Sequence, residues 1–317
     1  MTRILLALFA LLATFAASAA RADPADIAAA ARSVVRVVLI AERDGEPELI
    51  GHGSGFAVGP DLILTNAHVA RPGREDESVR IGVVPAEGKS GWFARVEAYS
   101  PRNDLALLRL TEKAKLTPMT LFTGPVEDGA DVFAVGYPGN VDFAQGLNVG
   151  DIVSPTSPVK TQGNVSAGRP SKQFDTILHT AAIGAGNSGG PLLDACGRVI
   201  GANSFGTEMA SGADSTFYFA VSMREIMRFL VEAGVKVQSI GAACRSIADF
   251  DRASAEREAA SKAEAAREAE EKQSVKLEAA RRQALAEVIS GRENGMALAG
   301  LAVLLALVSG GAALYFN

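Results

Sequence analysis

The chain has 317 residues, a formal net charge of −5, three histidines and two cysteines. A negative net charge gives no electrostatic reason to expect nucleic-acid binding. The histidines are scattered and no Cys-x-x-Cys spacing occurs, so the sequence predicts neither a metal site nor a cofactor.

The N-terminus has the features of a signal peptide. Arg3 supplies a basic start, residues 4–15 are apolar apart from Thr14, and residues 20–22 fit the small-x-small site of a signal peptidase. Because the apolar stretch is too short to span a bilayer comfortably, we predict a signal peptide over 1–22 and an exported mature chain. An uncleaved N-terminal anchor is the alternative.

Residues 23–245 have the pattern of one β-rich domain. Short runs of β-forming residues alternate with Gly, Pro, Asn and Asp. About a dozen such runs favour antiparallel barrels or a sandwich over βαβ units. A helix is predicted over 222–233, with Ser222 as its N-cap and Gly234 as its end. The predicted strands are 34–41, 53–58, 62–65, 79–84, 92–99, 105–110, 131–136, 149–153, 176–179, 191–193, 199–204 and 217–221.

The composition changes sharply near residue 246. Residues 251–290 consist mainly of Ala, Glu, Arg and Lys, which are strong helix formers with opposite charges three or four apart. They predict a solvated helical stalk over 246–294, about 60 Å long for its charged part, with disorder as the alternative.

An apolar segment follows the charged one. Residues 296–316 carry no charge, and this length is close to the ~20 residues that a helix needs to cross a bilayer. We predict a transmembrane anchor over 295–317 that holds the exported domain on the periplasmic or another extracytoplasmic face. A sorting signal removed after export is the alternative.

Cys196 and Cys244 leave two interpretations open. In an oxidising compartment they form a disulfide that closes a loop of about 50 residues, worth about 4 kcal/mol in the chain-entropy model. Alternatively, both are free thiols.

Three short strings carry the groups needed for serine acyl transfer. TNAHV at 65–69 contains His68, NDLAL at 103–107 contains Asp104, and GNSGGP at 186–191 contains Ser188. An imidazole takes the proton of a serine hydroxyl, and a carboxylate fixes the tautomer of the imidazole. Glycines beside the serine let backbone amides point at a developing oxyanion. Each string alone is weak evidence for catalysis. Together, and in this order, the three strings predict nucleophilic catalysis.

With these strings the sequence resembles the trypsin-like serine proteases with two β-barrels, most closely their HtrA-type branch. The resemblance covers about 34–221 and rests on GSGF at 53–56, LILTNAHV at 62–69, DLALL at 104–108 and GNSGGPL at 186–192. It implies a mainly β fold of two antiparallel six-stranded barrels. Here a C-terminal helix, a long charged helical stalk and one transmembrane helix are expected to follow, in the place where most HtrA-type proteins carry a PDZ domain.

The resemblance also implies a role for each site residue. His68 is the expected general base, Asp104 orients it and Ser188 is the nucleophile, while the amides of Gly186 and Ser188 form the oxyanion hole. No acidic residue lies at the base of the expected pocket, so small or medium aliphatic side chains are favoured over Lys or Arg. The expected pocket residues are Thr180, Ile183, Asn203, Ser204, Phe205 and Tyr218.

The sequence departs from the family pattern near the nucleophile. Gly184 and Ala185 replace the usual Asn-Pro, and Thr180 replaces the usual Asp. Asn187 replaces the Asp that pairs with a newly cut N-terminus in digestive members, so activation by such a cleavage is not expected. The flexibility of Gly184 predicts a less preorganised oxyanion loop and a low resting activity.

Two functions follow as hypotheses. The first is a serine endopeptidase that hydrolyses peptide bonds of exported or misfolded proteins through an acyl-enzyme. Its partners are protein or peptide substrates and the membrane, with no nucleic acid, and a homo-oligomer is compatible with the sequence. The alternative is a catalytically weak or inactive protease-fold binding module tethered to the membrane. His52 and His179 are interpreted as structural residues.

Overall fold

A computed structural model describes residues 24–170, 174–206, 217–242 and 247–315. The predicted signal peptide at 1–22 lies outside the described residues. The chain divides into two compact units, the first ending at Phe250 and the second beginning at Asp251.

Six antiparallel strands close the first barrel, in the order β1-β2-β3-β6-β5-β4 for strands numbered along the chain. Strand β1 is buried on both faces, because Val35 and Val37 enter the core of the barrel while Val34 packs into an apolar cluster shared with the second barrel. The strands are β1 (Val34–Arg43), β2 (Glu46–Ala57), β3 (Leu62–Thr65), β4 (Val79–Pro85), β5 (Trp92–Ser100) and β6 (Leu105–Leu110).

Six further antiparallel strands form the second barrel. They are β8 (Asp131–Gly136), β9 (Val159–Pro170), β10 (Asp175–His179), β11 (Pro191–Leu193), β12 (Val199–Gly206) and β13 (Tyr218–Ser222). Their order is β11-β8-β9-β10-β13-β12, and β12 pairs back onto β11 to close the ring. Two short strands, β7 (Leu121–Phe122) and β14 (Ser239–Ile240), add parallel pairings beside β12. The predicted pair of six-stranded barrels is therefore confirmed.

Short helices connect and cover the barrels. They are α1 (Pro24–Ala31), α2 (Ala67–Glu75), α3 (Gly139–Ala144), α4 (Val149–Ile152) and α5 (Met223–Glu232). Helix α5 confirms the helix predicted over 222–233: Ser222 is its N-cap, and Ile226, Phe229 and Leu230 are buried in the apolar cluster between the barrels.

The strand predicted over 149–153 is wrong, since these residues form helix α4. The side chain of Asn148 accepts from the amide of Asp151 (3.2 Å), and the Asp151 carboxylate accepts from the amide of Asn148 (2.9 Å). This capping box outweighs the β preference of the valines. Strand β9 is not predicted, because its glycines and polar residues lack the β-forming pattern although the strand is paired.

The described part of the second unit lies within helix α6 (Ile247–Tyr315), whose 69 residues extend about 100 Å at 1.5 Å per residue. Its charged part carries ion pairs four residues apart, such as Lys262–Glu258 at 2.7 Å. The predicted stalk is thus helical rather than disordered, and it continues without a break into the apolar segment. In the described part of the chain, this is the one helix that is long and apolar enough to cross a membrane.

Candidate active site

His68 and Asp104 meet at one edge of the first barrel. His68 lies at the start of α2, directly after β3, and Asp104 ends the turn before β6, which pairs with β3. The Nδ1 atom of His68 lies 3.0 Å from each carboxylate oxygen of Asp104. Because a carboxylate only accepts, Nδ1 carries the proton and Nε2 is the basic nitrogen. The His68 side chain is 45% exposed, so a substrate can reach it.

The Asp104 carboxylate is held from several sides. It accepts the backbone amide of His68 at 3.1 Å and the hydroxyl of Ser204 at 2.6 Å, while the Asn66 side chain donates to the Asp104 carbonyl at 2.9 Å. Asp104 has a φ of 52°, in the left-handed region that Asp enters more readily than most residues. Such backbone strain clusters at functional sites, and here it accompanies a carboxylate aimed at an imidazole.

Ser204 ties the second barrel to this pair. The sequence places Ser204 in the substrate pocket, whereas the structure directs its hydroxyl onto Asp104. The two residues lie 100 positions apart, so no local pattern reveals the contact. Ser204 therefore makes a contact with the candidate site that the sequence does not reveal, and its place in the pocket stays a prediction.

The loop that carries Ser188 is folded by its own backbone. The amide of Asn187 donates to Gly184 and that of Gly190 donates to Asn187, both at 3.0 Å. Gly186 and Gly189 have φ values of 99° and 86°. Side chains rarely adopt such values, so the glycines of the motif are required by the shape of the loop.

This loop docks against the segment that leads to His68. The Ser188 carbonyl accepts the amide of Ser54 at 2.8 Å. A Cβ on Gly189 would collide with the Ser54 carbonyl and the Thr65 hydroxyl. Because Thr65 ends β3, three positions before His68, the loop of Ser188 packs against the segment that leads to His68.

The Ser188 hydroxyl donates to the Ser204 carbonyl at 2.9 Å. A hydroxyl has one proton, so in this state the proton is not shared with His68. The backbone amides of Gly186 and Ser188 have no hydrogen-bond partner within the described residues. Two donors beside the hydroxyl are thus free to bind an oxyanion.

The predicted pocket residues fall into two groups. Thr180, Phe205 and Tyr218 lie at or near the surface. The amide of Thr180 donates to Asn164 at 3.0 Å, and the ring of Phe205 stacks on that of Phe219 with centroids 4.7 Å apart. This stacked pair gives the expected pocket region an apolar, aromatic edge.

The second group faces the protein interior. Ile183 packs partly buried against the core of the second barrel. The Asn203 side chain is fully buried and donates to the Pro191 carbonyl at 3.1 Å. As a fully buried side chain bonded to the backbone, Asn203 supports the wall rather than forming its surface.

His179 is fully buried at the end of β10, with its ring 6.0 Å from that of Tyr218. Neither ring nitrogen makes a hydrogen bond of good geometry to the described residues. Burial lowers the pKa of His179 to about 4, and the backbone of Ala181 opposes this shift only in part. The imidazole is therefore neutral at pH 7.

Cys196 is disulfide-bonded, and Cys244, the other cysteine of the sequence, lies outside the described residues. The Arg198 guanidinium contacts both Asp194 (2.6 Å) and the carbonyl of Ala242 (2.7 Å), which brings residue 242 close to the turn that carries Cys196. Pairing of Cys196 with Cys244 stays a prediction. Across the described ranges, no group of three or more His, Cys, Asp or Glu residues could hold a metal ion.

Comparison with known proteins agrees with this geometry. Residues 53–201, which include all three candidate residues, match the family model of the trypsin-like peptidase domain. The described domain is thus similar to a trypsin-like peptidase domain. Its two barrels and the His-Asp-Ser order of the candidate residues are those expected from the resemblance.

The domain is similar to proteins of the HtrA and Do type. Serine protease HTRA2, mitochondrial, of Bos taurus is 33% identical over 204 residues, covering 63% of this chain and 40% of that protein. Protease Do-like 5, chloroplastic, of Arabidopsis thaliana is 32% identical over 201 residues, covering 60% of this chain and 59% of that protein. Serine protease Rv3671c of Mycobacterium tuberculosis is 31% identical over 182 residues, covering 55% of this chain and 40% of that protein. The alignments thus span between about 40% and 60% of these relatives.

Proposed function

We propose that this chain is a serine endopeptidase that hydrolyses peptide bonds of exported or misfolded proteins through an acyl-enzyme. One observation carries the proposal: His68 Nδ1 lies 3.0 Å from the Asp104 carboxylate, beside the docked loop of Ser188. The relatives named serine proteases support it.

The first step activates the nucleophile. The Ser188 hydroxyl turns from the Ser204 carbonyl toward Nε2 of His68, and its oxygen attacks the carbonyl carbon of the scissile peptide. The proton passes to Nε2 as the new C–O bond forms. Asp104 keeps Nδ1 protonated and stabilises the imidazolium.

The second step relies on the backbone. The carbonyl oxygen of the substrate becomes an oxyanion and accepts the amides of Gly186 and Ser188. Each such donor is worth about 2.7–4 kcal/mol of transition-state stabilisation. His68 then gives its proton to the leaving amine, and water attacks the acyl-enzyme by the same steps in reverse.

The proposal extends to the location of the enzyme. In this proposal a signal peptide at 1–22 directs export of the protease domain at 23–245. The charged stalk at 246–294 links that domain to the apolar segment at 295–317, which anchors the chain in the membrane. The unbroken helix α6 with its apolar end supports this arrangement. The domain then faces the periplasm or another extracytoplasmic space, as a monomer or a homo-oligomer.

The proposed pocket takes small or medium aliphatic side chains. Support comes from the Phe205–Phe219 stack at its edge and from the absence of an acidic residue among its predicted members, Thr180, Ile183, Asn203, Ser204, Phe205 and Tyr218. A basic side chain would be left without a counter-ion there, which is costly in a partly buried pocket.

Labelling with a fluorophosphonate probe tests the proposal. The wild-type chain is expected to form a covalent adduct that disappears in Ser188→Ala. The matched control is Ser78→Ala, which removes an exposed hydroxyl bonded to Asp76 and should leave labelling intact. An adduct that survives Ser188→Ala, or a wild-type chain that never reacts, contradicts the proposal.

A second function is favoured by one observation, the bond from the Ser188 hydroxyl to the Ser204 carbonyl. If that bond is permanent, the domain is a weak or inactive binding module tethered to the membrane. The module would bind unfolded casein without cleaving it, and Ser188→Ala would bind it equally well. Cleavage that depends on Ser188 excludes this alternative.

A further inference from the structure

A buried ionic cluster lies beneath the nucleophile loop. Arg36 of β1, 2% exposed, donates to the Asp142 carboxylate at 2.8 Å and to the Ile152 carbonyl at 2.9 Å. The other oxygen of Asp142 lies 3.3 Å from Nε2 of His52. Arg36 and His52 come from the first barrel, whereas Asp142 belongs to α3 on the second. The cluster therefore joins the two barrels.

Stability alone does not explain this cluster. Removing two charges from water costs about as much as their attraction returns unless all their polar atoms are satisfied. Here Nε of Arg36 and Oδ2 of Asp142 have no hydrogen-bond partner in the ranges that the structure describes. An incompletely satisfied buried pair contributes little net stability to the contact between the barrels, which points to a positioning role.

Helix α3, which carries Asp142, also holds the nucleophile loop. Its first residue, Gly139, donates its amide to the Ala185 carbonyl at 2.8 Å. That carbonyl and the amide of Gly186 belong to one planar trans peptide, so they point in opposite directions. The position of Gly139 therefore sets the direction of the Gly186 amide, one of the two proposed oxyanion donors.

His52 and Ser54 of the first barrel also lie against the nucleophile loop. Nε2 of His52 donates to the Tyr137 carbonyl at 3.0 Å, and the Ser54 hydroxyl donates to the Gly186 carbonyl at 2.6 Å. A Cβ on Gly186 would collide with both His52 and the Tyr137 carbonyl. Burial lowers the pKa of His52 and nearby Arg36 adds to the effect, so His52 acts as a neutral donor.

We propose that Arg36 and Asp142 are positioning residues for the oxyanion hole: their ion pair fixes α3 so that Gly139 holds the Ala185 carbonyl and turns the Gly186 amide toward the substrate. The inference rests on the proposed function and deepens it. It also bears on the departure from the family pattern at Gly184, because the bond that Gly139 donates from outside the loop offsets the flexibility of this glycine.

Variants of the full-length chain test the proposal. Asp142→Ala breaks the pair and leaves Arg36 buried and unpaired. The double variant Arg36→Met, Asp142→Leu removes both charges and keeps an apolar contact, so its fold is expected to survive. Arg109→Met is the matched control, because it removes a paired arginine from β6, 2.7 Å from Asp61 and outside the site.

The measurements separate positioning from folding. Active-site titration with a fluorophosphonate gives the reactive fraction, and casein cleavage is then expressed per reactive molecule as kcat and KM. The double variant should lose about 10- to 100-fold in kcat, less than the full loss of one oxyanion donor. Its KM and thermal midpoint should stay near those of the wild type. Its affinity for a peptide boronate, which occupies the oxyanion hole, should fall by a similar factor.

Asp142→Glu is the conservative variant, and it should recover most of the kcat lost in Asp142→Ala because it restores the carboxylate. If the double variant has the kcat and boronate affinity of the wild type, the positioning role is overturned. Ser188-dependent cleavage by the wild type would then still support the proposed function. A wild-type chain that is never labelled at Ser188 overturns both.

Discussion

The two barrels contribute unequal halves of the candidate site. In the first barrel the functional side chains are fully engaged: His68 lies 3.0 Å from Asp104, and the Asp104 carboxylate also accepts an amide and a hydroxyl. In the second barrel the loop of Ser188 is fixed by its backbone, but the hydroxyl itself donates to the Ser204 carbonyl. We infer that rotation of one side chain, between ordinary staggered rotamers, separates this state from a reactive one.

The difference follows from how each half is built. The His68–Asp104 pair depends on side chains anchored at the ends of paired strands, which the barrel holds in register. The Ser188 half depends on the direction of backbone amides in a glycine-rich loop, which needs support from outside the loop. The first half should therefore tolerate distant changes, and the second should be sensitive to them.

The largest effect is expected where both halves meet. His68→Ala removes the proposed base and should lower kcat about 10⁶-fold, as loss of a member of such a unit does in related chemistry. Casein cleavage at saturating substrate measures it. Cleavage that is only slightly reduced would mean that the first barrel supplies no base.

Asp104→Asn tests the orientation of the imidazole. The amide keeps the shape but favours the wrong tautomer of His68, so kcat should fall about 10⁴-fold. The same assay, with Asp61→Asn as a control outside the site, measures it. Equal activity of the two variants would remove Asp104 from the mechanism.

The pH dependence of unfolding distinguishes the barrels in another way. His179 is buried in the second barrel with its pKa lowered to about 4, while the unfolded chain has the ordinary value near 6.5. The unfolded state binds the proton more readily than the folded state. The contribution of neutral His179 to the free energy of unfolding is therefore fully present above pH 6.5 and is lost as the pH drops toward 4. The loss between pH 7 and pH 5 is about 2 kcal/mol.

Urea unfolding at pH 7 and pH 5 measures this loss. His179→Leu should show a correspondingly smaller difference between the two pH values, because it has no group to protonate. If His179→Leu loses as much stability between pH 7 and pH 5 as the wild type, groups other than His179 cause the acid sensitivity.

The smallest of these effects concerns the contact between the barrels at the site. Ser204→Ala removes the hydroxyl bond to Asp104 but keeps the carbonyl that binds Ser188. Because a hydrogen bond to a charged group contributes about 1.5 kcal/mol or more, kcat should fall roughly tenfold. A change in KM alone would instead make Ser204 a pocket residue.

The barrels are predictable from the sequence because short β-rich runs and turn residues specify strands locally. The His-Asp-Ser order is readable for the same reason, since each group lies in its own compact string. Helix α4 is not, because the capping box of Asn148 and Asp151 overrides a run of β-branched residues. The contacts of Ser204 with Asp104 and of Arg36 with Asp142 join residues about 100 positions apart. Only the docking of the two barrels creates them.

A crystal structure of the full chain after reaction with diisopropyl fluorophosphate would test the central claim most directly. Phosphorus should be bonded to Oγ of Ser188, with its oxygen about 3 Å from the amides of Gly186 and Ser188 and with His68 facing the modified oxygen. An adduct on another residue, or an oxygen turned away from both amides with His68 out of reach, would contradict it.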